Sequence, residues 1–262
     1  MVPQRYTSDL TDGQWAVLEP HVPKARSDAI RGGRPEVYSK RAIVEGILYV
    51  KTTGCQWKNL PSDLPPYPTV YYYFNTWSKR DIWEQINRVL RERLRIACGR
   101  EPEPSVAIID SQSVKTTEIG GIKGYDAGKK VSGRKRHIAV DTLGLLLKAI
   151  VHRAAVQDRD GGKILCMLLN VWFRRIKVIF ADAGYRGKLV EWIGERCSFA
   201  LSIVARNELH RFVVMPKRWI VERTFGWFNL ARRLSKDYEY EIRNSEAMLY
   251  VTMIHIMVKR LA

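Results

Sequence analysis

The fold of this chain is decided by a strand-like segment that leads into an acid, VAIIDSQS at residues 106–113. Four apolar residues of β-forming type run directly into Asp110, and three polar residues follow. A buried strand that delivers a carboxylate at its C-terminal tip is a common way to build a site in an α/β sheet. Aspartate after a strand is also an ordinary turn residue, so the pattern gains weight only where it is repeated.

The pattern is repeated at VIFADAGY, residues 178–185, where a second apolar run ends in Asp182. A third acid, Glu222, lies within an apolar, aromatic and basic segment of helical periodicity. Parallel neighbouring strands with acidic tips would bring Asp110 and Asp182 within a few ångströms, and a glutamate on a following helix could then reach them. We therefore predict that the three acids form one site, although Glu222 could instead be a surface acid paired with a nearby arginine.

Three converging carboxylates need a cation if all of them are to stay ionised. Ligands that are all oxygen atoms select hard ions such as Mg²⁺ or Mn²⁺. Two such ions can activate a nucleophilic oxygen and stabilise the leaving oxygen in phosphodiester transfer. The sequence therefore predicts two Mg²⁺ ions per site, with Mn²⁺ as a substitute, held by Asp110, Asp182 and Glu222.

The composition favours a polyanionic partner. The 262 residues carry a formal net charge of +17, and nucleic acid is the first partner that such a charge indicates. A solvated basic surface is the alternative. The basic residues are spread along the chain rather than gathered on one amphipathic helix, and no apolar run is long enough to span a bilayer, so no membrane is expected. A cytoplasmic location is predicted, because the four cysteines have no paired spacing: Cys55, Cys98, Cys166 and Cys197.

Residues 1–99 are predicted to form a small all-helical domain of helix-turn-helix-like type. Thr11 and Gln14 have the spacing of a capping box at the start of the first helix, and Ser39 is the N-cap of the second. Gly54 ends the second helix, and Asp81 is the N-cap of a later one. The aromatic segment from Thr69 to Trp77 either touches DNA or forms the domain core, and we favour the core. The basic segment 24–34 is interpreted as a phosphate contact. Residues 100–104 form a linker that contains two prolines and no apolar residue.

Residues 105–262 are predicted to form a second, catalytic domain with the element order β-β-β-α-β-α-β-α-α. Asp141 also ends a strand-like run, but it precedes a hairpin turn, so we interpret it as structural. The Gly- and Lys-rich segment 115–136 does not fit a phosphate-binding P-loop, because Lys123 stands where glycine is required. A flexible basic loop that grips a nucleic-acid backbone is the favoured interpretation, and an ordinary hairpin is the alternative.

Several of these segments resemble bacterial insertion-sequence transposases of the DDE class, in the insertion-sequence-five-like group. The similar segments are IDSQSVK (109–115), GRKRH (133–137), DAGY (182–185) and VERTFGW (221–227), with GCQW (54–57) through TVYYYF (69–74) in the N-terminal region. The resemblance implies an RNase H-like catalytic fold, a mixed five-stranded sheet flanked by helices. It also implies that Asp110, Asp182 and Glu222 are the metal-binding triad.

The resemblance further implies a partner and an assembly. Members of this group act on double-stranded DNA, at terminal inverted repeats and at target sites, usually as homo-oligomers, and a dimer on DNA is expected. Only 40 positions separate Asp182 from Glu222, so the catalytic domain is expected to be compact. The protein is expected to be nucleoid-associated.

Contacts with DNA are predicted for basic and aromatic residues beside the acids. Around the glutamate that corresponds to Glu222, the transposases of this group often carry Tyr, Arg, Glu and Lys at set spacing. Arg218 fits this spacing, whereas Met215 stands at the Tyr position and Asn229 at the Lys position. The predicted DNA-binding residues are Lys115, Lys129, Lys130, Arg134, Lys135, Arg136, Tyr185, Arg186, Arg218, Arg223, Arg232 and Arg233.

Three functions are compatible with these features. In the favoured one, a transposase hydrolyses a strand at the element end, and the freed 3′-hydroxyl then attacks target DNA. A structure-specific, metal-dependent nuclease would cleave strands without joining them. A catalytically inactive DNA-binding regulator would do neither, and the presence of all three acids argues against it.

Overall fold

The computed structural model describes residues 5–24, 36–118, 121–204 and 218–262. Within these ranges the chain forms eight α-helices and one six-stranded sheet. The N-terminal helices are α1 (Asp12–Leu18), α2 (Lys40–Thr53), α3 (Tyr67–Lys79) and α4 (Ile82–Ala97). The remaining elements are β1 (Val106–Lys115), β2 (Gly124–Asp126), β3 (Val131–Val140), β4 (Leu146–Arg153), α5 (Asp158–Trp172), β5 (Val178–Ala181), α6 (Lys188–Arg196), β6 (Ala200–Ile203), α7 (Arg218–Asn229) and α8 (Ile242–Leu261).

The helix boundaries follow local capping chemistry. Thr11 and Gln14 form the predicted capping box, and the Ser39 side chain accepts a hydrogen bond from the backbone of Ala42 at the start of α2. Gly54 ends α2 in the left-handed conformation, with φ at 72°. Helix α8 begins at Ile242, and the Ser245 hydroxyl in its first turn donates a hydrogen bond to the Asp237 carboxylate.

The sheet has the strand order β4-β3-β1-β5-β6, with the short β2 beside the first residues of β3. Strands β1, β3 and β4 are antiparallel neighbours, whereas β5 and β6 run parallel to β1. The predicted mixed α/β sheet flanked by helices is therefore confirmed, with β2 as one strand more than the five expected.

The two faces of the sheet are covered by different helices. On one face, α5 and α6 pack over a core that includes Ala107, Ile109 and Ile179. On the other face, α7 and α8 pack over Ile108 and Ile138. None of the described helices combines the length and the apolarity needed to cross a membrane.

Helix α8 joins the N-terminal helices to this second face. It packs against α1, α2, α3 and α4 on one side and against β4 on the other. The apolar cluster is continuous from Leu10 and Phe74 to Ile108 and Val251. The aromatic segment of α3 contributes Phe74 and Trp77 to this core, as predicted. The division at residues 100–104 stays a prediction, and any separate N-terminal unit shares its core with the sheet.

The Gly- and Lys-rich segment differs from the favoured prediction of a flexible loop. Strand β1 continues past Asp110 to Lys115, and β2 and β3 form a hairpin across residues 124–140. The segment is therefore a hairpin, and its contact with nucleic acid stays a prediction. Gly133 lets β1 and β3 approach closely, because a Cβ there would lie 2.0 Å from the carbonyl oxygen of Val114. The predicted phosphate-binding loop 24–34 lies outside the described residues, except for Lys24.

Candidate active site

Asp110 lies within β1, and Asp182 directly follows β5, the parallel neighbour of β1. Ile108 of β1 pairs with Phe180 of β5. Continuing that register by two residues pairs Asp110 with Asp182, and the backbone at Asp182 is still extended, with φ −80° and ψ 177°. Side chains two residues apart along a strand share a face. Both carboxylates therefore belong to the face of Ile108, which is the face that α7 covers.

A backbone N–H group orients each of these carboxylates. The amide of Ser111 donates to Oδ1 of Asp110 at 2.7 Å. The amide of Gly184 donates to Oδ1 of Asp182 at 2.9 Å, which makes Asp182 the N-cap of a short 3-10 turn over residues 183–185. Asp110 was expected at the tip of its strand, but it lies within β1, at the point where pairing with β5 stops and pairing with β3 continues.

Glu222 lies on α7, at the edge of the side that packs on the sheet. Val221 and Phe225 of this helix are buried against the Ile108 face, while Glu222 is exposed. A helix turns 100° per residue, so Glu222 lies about 60° around the axis from Phe225. The helix is fixed to the β3–β4 turn by the Thr224 hydroxyl, which donates to the carbonyl of Gly144 at 2.9 Å.

The donor set suits a hard divalent ion, because the two aspartates lie side by side and the third acid comes from the helix over the same face. Within the described ranges, no three His, Cys, Asp or Glu side chains already form a group arranged to hold a metal ion. The placement of the two aspartates thus agrees with the predicted site, and the complete triad stays a prediction.

The predicted DNA-binding residues divide by exposure. Five of them have exposed side chains: Lys115, Lys129, Lys130, Arg186 and Arg232. Arg223 is half-buried. The Cζ atom of its guanidinium lies 4.6 Å from the ring centroid of Trp219 and 4.7 Å from that of Trp227. The side chain of Arg218 and all of Met215 lie outside the described residues.

Arg134 and Arg136 are buried, although both were expected to contact DNA. Arg134 donates to the Asp237 carboxylate at 3.2 Å and to the carbonyls of Glu239 and Tyr240, both at 2.7 Å. Arg136 donates to the carbonyls of Leu234 and Lys236, at 2.8 and 3.1 Å. These arginines hold the segment that connects α7 to α8, so their role here is structural. Arg233 is also buried, and it pairs with Glu239 and donates to the carbonyl of Cys55.

Lys135 and Tyr185, two further predicted DNA contacts, are buried on the opposite face of the sheet. The amine of Lys135 lies 2.8 Å from the Asp158 carboxylate and 3.2 Å from that of Asp126. Burial raises the pKa of Tyr185 well above its ordinary value, and the negative charges of three aspartates, Asp110, Asp158 and Asp182, add to the effect. Neither side chain is placed to touch a DNA backbone.

Asp158 is the site-adjacent residue that the sequence analysis missed. It is the first residue of α5, and its carboxylate accepts hydrogen bonds from Ser111 and Lys135. Burial alone would raise the pKa of Asp158, but the Lys135 hydrogen bond and the charge of Lys129 hold it below its ordinary value. The sequence marks Asp158 only as an acid in the first turn of a predicted helix. Acids are common there because they interact favourably with the helix dipole.

The structural interpretation of Asp141 is confirmed. Its carboxylate is fully buried, accepts hydrogen bonds from the amides of Leu143 and Leu145, both at 2.9 Å, and pairs with Arg95 of α4. The residue therefore closes the β3–β4 turn and fastens it to the N-terminal helices.

Comparison with known proteins identifies two matching families. Residues 10–87 match the family described as "Putative transposase of IS4/5 family (DUF4096)". Residues 101–257, more than half of the chain, match "Transposase DDE domain".

Individual relatives were also found. The curated "Insertion element IS402 uncharacterized 16.2 kDa protein" of Burkholderia cepacia is 30% identical over 115 residues, which are 42% of this chain and 76% of that protein. Two solved structures, the Mos1 mariner paired end complex with Mn and the Mos1 Strand Transfer Complex, are each 12% identical with a TM-score of 0.30. The two alignments cover 89% of this chain, and 80% and 79% of the respective Mos1 chains. A TM-score of 0.30 supports no conclusion about function. From the family matches and the curated relative, the chain belongs to the DDE-type transposases of insertion sequences, whose catalytic domain has an RNase H-like fold.

Proposed function

We propose that this transposase cleaves the DNA strand at the ends of its insertion sequence and joins the resulting 3′-hydroxyl to target DNA. The observation that carries the proposal is that Asp110 lies on β1 and Asp182 directly follows β5, the parallel neighbour of β1, while α7, which bears Glu222, packs over β1. In this proposal, the three acids hold two divalent ions, Mg²⁺ or Mn²⁺.

The protein's own contribution is to fix oxygen donors at one point of a rigid sheet. Asp110 and Asp182 would provide donors from the sheet, where the amides of Ser111 and Gly184 orient them. Glu222 would close the site from α7. The ions, when bound, would supply charge stabilisation to both the attacking and the leaving oxygen of the phosphodiester. Water would be the nucleophile in cleavage, and the 3′-hydroxyl would be the nucleophile in joining.

The exposed basic residues around this site provide a surface for DNA phosphates. Lys115, Lys129 and Lys130 belong to the β1 end and the β2–β3 hairpin, and Arg186 follows the turn that contains Asp182. We propose that the DNA is double-stranded, that it comprises terminal repeats and target, and that a homodimer of the protein assembles on it in the bacterial cytoplasm, at the nucleoid.

A charge-removing substitution in the hairpin tests this surface. Lys130→Gln is expected to weaken DNA binding about equally for all sequences and to reduce the slope of log K against log salt by about 1, since one phosphate contact is lost. Fluorescence anisotropy at several salt concentrations measures the slope. Lys259→Gln, an exposed lysine near the end of α8, is the matched control. Equal slopes of log K against log salt for the two variants would show that Lys130 of the hairpin does not contact DNA phosphates.

The function itself is tested with wild-type protein on DNA that carries the element's own ends. In Mg²⁺ or Mn²⁺, we expect cleaved and joined products, and in Ca²⁺ or a chelator we expect binding without either product. Cleavage without joining would replace the proposal with a structure-specific nuclease. Binding without cleavage in any metal would replace it with a DNA-binding regulator.

A further inference from the structure

A hydrogen-bonded group of side chains lies directly beneath the two aspartates, on the other face of the sheet. Ser111, the residue after Asp110, points to that face together with Ile109, and it is paired across the sheet with His137 of β3. Tyr185, three residues after Asp182, is completely buried in the same core, and its hydroxyl lies 3.0 Å from Nδ1 of His137. Each aspartate therefore has a close chain neighbour in this group.

Ser111 links the group to Asp110 through several bonds. Its amide donates to the Asp110 carboxylate at 2.7 Å. Its hydroxyl donates to Oδ1 of Asp158 at 2.9 Å. The amine of Lys129 donates to the Ser111 carbonyl and hydroxyl, at 3.2 and 3.0 Å. A shift of Ser111 would thus change the orientation of the Asp110 carboxylate.

Tyr185 links the same group to Asp182. The turn that Asp182 caps is closed by a hydrogen bond from the amide of Tyr185 to the carbonyl of Asp182, at 3.2 Å. A Cβ at Gly184 would lie 3.0 Å from Oδ1 of Asp182 and 3.7 Å from Oδ2 of Asp158, so both carboxylates border this turn. The position of the Tyr185 ring therefore sets the position of the Asp182 turn.

Two adjacent glycines at the start of α5 make room for this arrangement. A Cβ at Gly162 would lie 2.5 Å from Cε1 of Tyr185, and a Cβ at Gly161 would lie 2.3 Å from Nε2 of His137. Glycine lowers helix stability by about 1 kcal/mol per residue relative to alanine. Helix α5 accepts two of them at the one place where Tyr185 and His137 enter, so the space for these side chains is built into the fold.

We propose that Tyr185, Ser111 and Asp158 are positioning residues that hold Asp110 and Asp182 in register for metal binding, and this rests on the function proposed above. None of the three touches the reacting atoms. The Ser111–Asp158 bond ties β1 to the start of α5, and the contact between the Tyr185 hydroxyl and His137 ties the Asp182 turn to β3, the neighbour of β1. Lys135 and Lys129 neutralise the Asp158 carboxylate within this frame. The frame fixes the distance between two carboxylates that would otherwise repel each other.

The test compares Tyr185→Phe, which removes only the hydroxyl, with Ser111→Ala, which removes the linking hydroxyl from the other side. Outer-sphere partners of metal ligands change metal affinity or activity by about 10- to 100-fold when they are replaced. We expect each variant to need more Mn²⁺ for half-maximal cleavage and to lower kcat within that range, with the KM for DNA unchanged. Mn²⁺ binding, measured directly by electron paramagnetic resonance without turnover, should weaken in parallel.

Tyr250→Phe is the matched structural control, because its buried hydroxyl accepts a hydrogen bond from the amide of Ala149 on β4. This variant should lose a similar amount of stability and keep the wild-type Mn²⁺ dependence. Wild-type Mn²⁺ dependence in both Tyr185→Phe and Ser111→Ala would overturn the inference while leaving the transposase proposal intact. Two other results would overturn both this inference and the transposase proposal. In the first, the wild-type protein neither binds Mn²⁺ nor cleaves DNA. In the second, the Asp110→Asn variant still binds Mn²⁺ as the wild type does.

Discussion

We expect Asp110→Asn, Asp182→Asn and Glu222→Gln each to lower the rates of strand cleavage and of strand joining by roughly a thousandfold or more. Metal ions contribute several kcal/mol of charge stabilisation to such transition states, and each 1.36 kcal/mol changes the rate about tenfold. An amide keeps the shape of the carboxyl group but loses its charge, so the chain should fold normally and lose the ion. The loss should be of similar size in all three variants, because the acids would act as one unit.

The measurement is a time course of cleaved and joined DNA, with a mobility-shift assay on the same samples. DNA binding and melting temperature should stay close to wild type. Asp160→Asn and Glu191→Gln are the matched controls, since both acids are exposed, on α5 and α6, and neither belongs to the proposed triad. If Glu222→Gln retained near wild-type cleavage while the aspartate variants did not, the third ligand would have to be another residue.

Asp141→Ala is expected to lower the free energy of unfolding by about 3–5 kcal/mol, the largest stability effect that we predict for a single substitution. The change leaves the guanidinium of Arg95 buried without its charged partner, and two turn amides lose their acceptor. Such a loss is a large share of the stability of a typical domain. The variant should therefore express poorly or melt far below the wild type.

Urea denaturation monitored by tryptophan fluorescence checks this prediction. The exposed pair Arg243–Glu241, at 3.5 Å, is the control, and Arg243→Gln should cost less than about 1 kcal/mol. The double variant Arg95→Met with Asp141→Ala should recover part of the loss, because removing both partners leaves no unpaired buried charge. An Asp141→Ala protein of wild-type stability would show that the pair contributes nothing to the fold.

The comparison of Asp110 with Asp141 shows what the sequence could predict. Both acids follow apolar, strand-like runs, but Asp141 precedes Thr-Leu-Gly, and Gly144 indeed adopts a positive φ of 82° in the turn. Local turn chemistry therefore separated the structural acid from the candidate catalytic one. The parallel pairing of β1 with β5 was also predictable. An antiparallel hairpin and then a helical segment separate the two apolar runs, so that β5 runs in the same direction as β4 and hence as β1.

The burial of Arg134, Lys135 and Arg136 could not be predicted in the same way. A run of three cations is usually a solvated surface, and local sequence does not report partners about 100 positions away, such as Asp237 and the Tyr240 carbonyl. The length of β1 was underestimated for a related reason. Its second half is polar because it borders the site, so the apolar run ends before the strand does.

The packing of α8 against α1 has a consequence for how the protein is made. The ribosome completes Leu18 long before it reaches Ile242, and at about 5–20 residues per second the interval is roughly 10–45 s. During that time Leu10, Leu18 and Val44 have no finished core to enter, since α8 supplies its other half. Any DNA-reading role of the N-terminal helices must therefore wait until α8 has been translated.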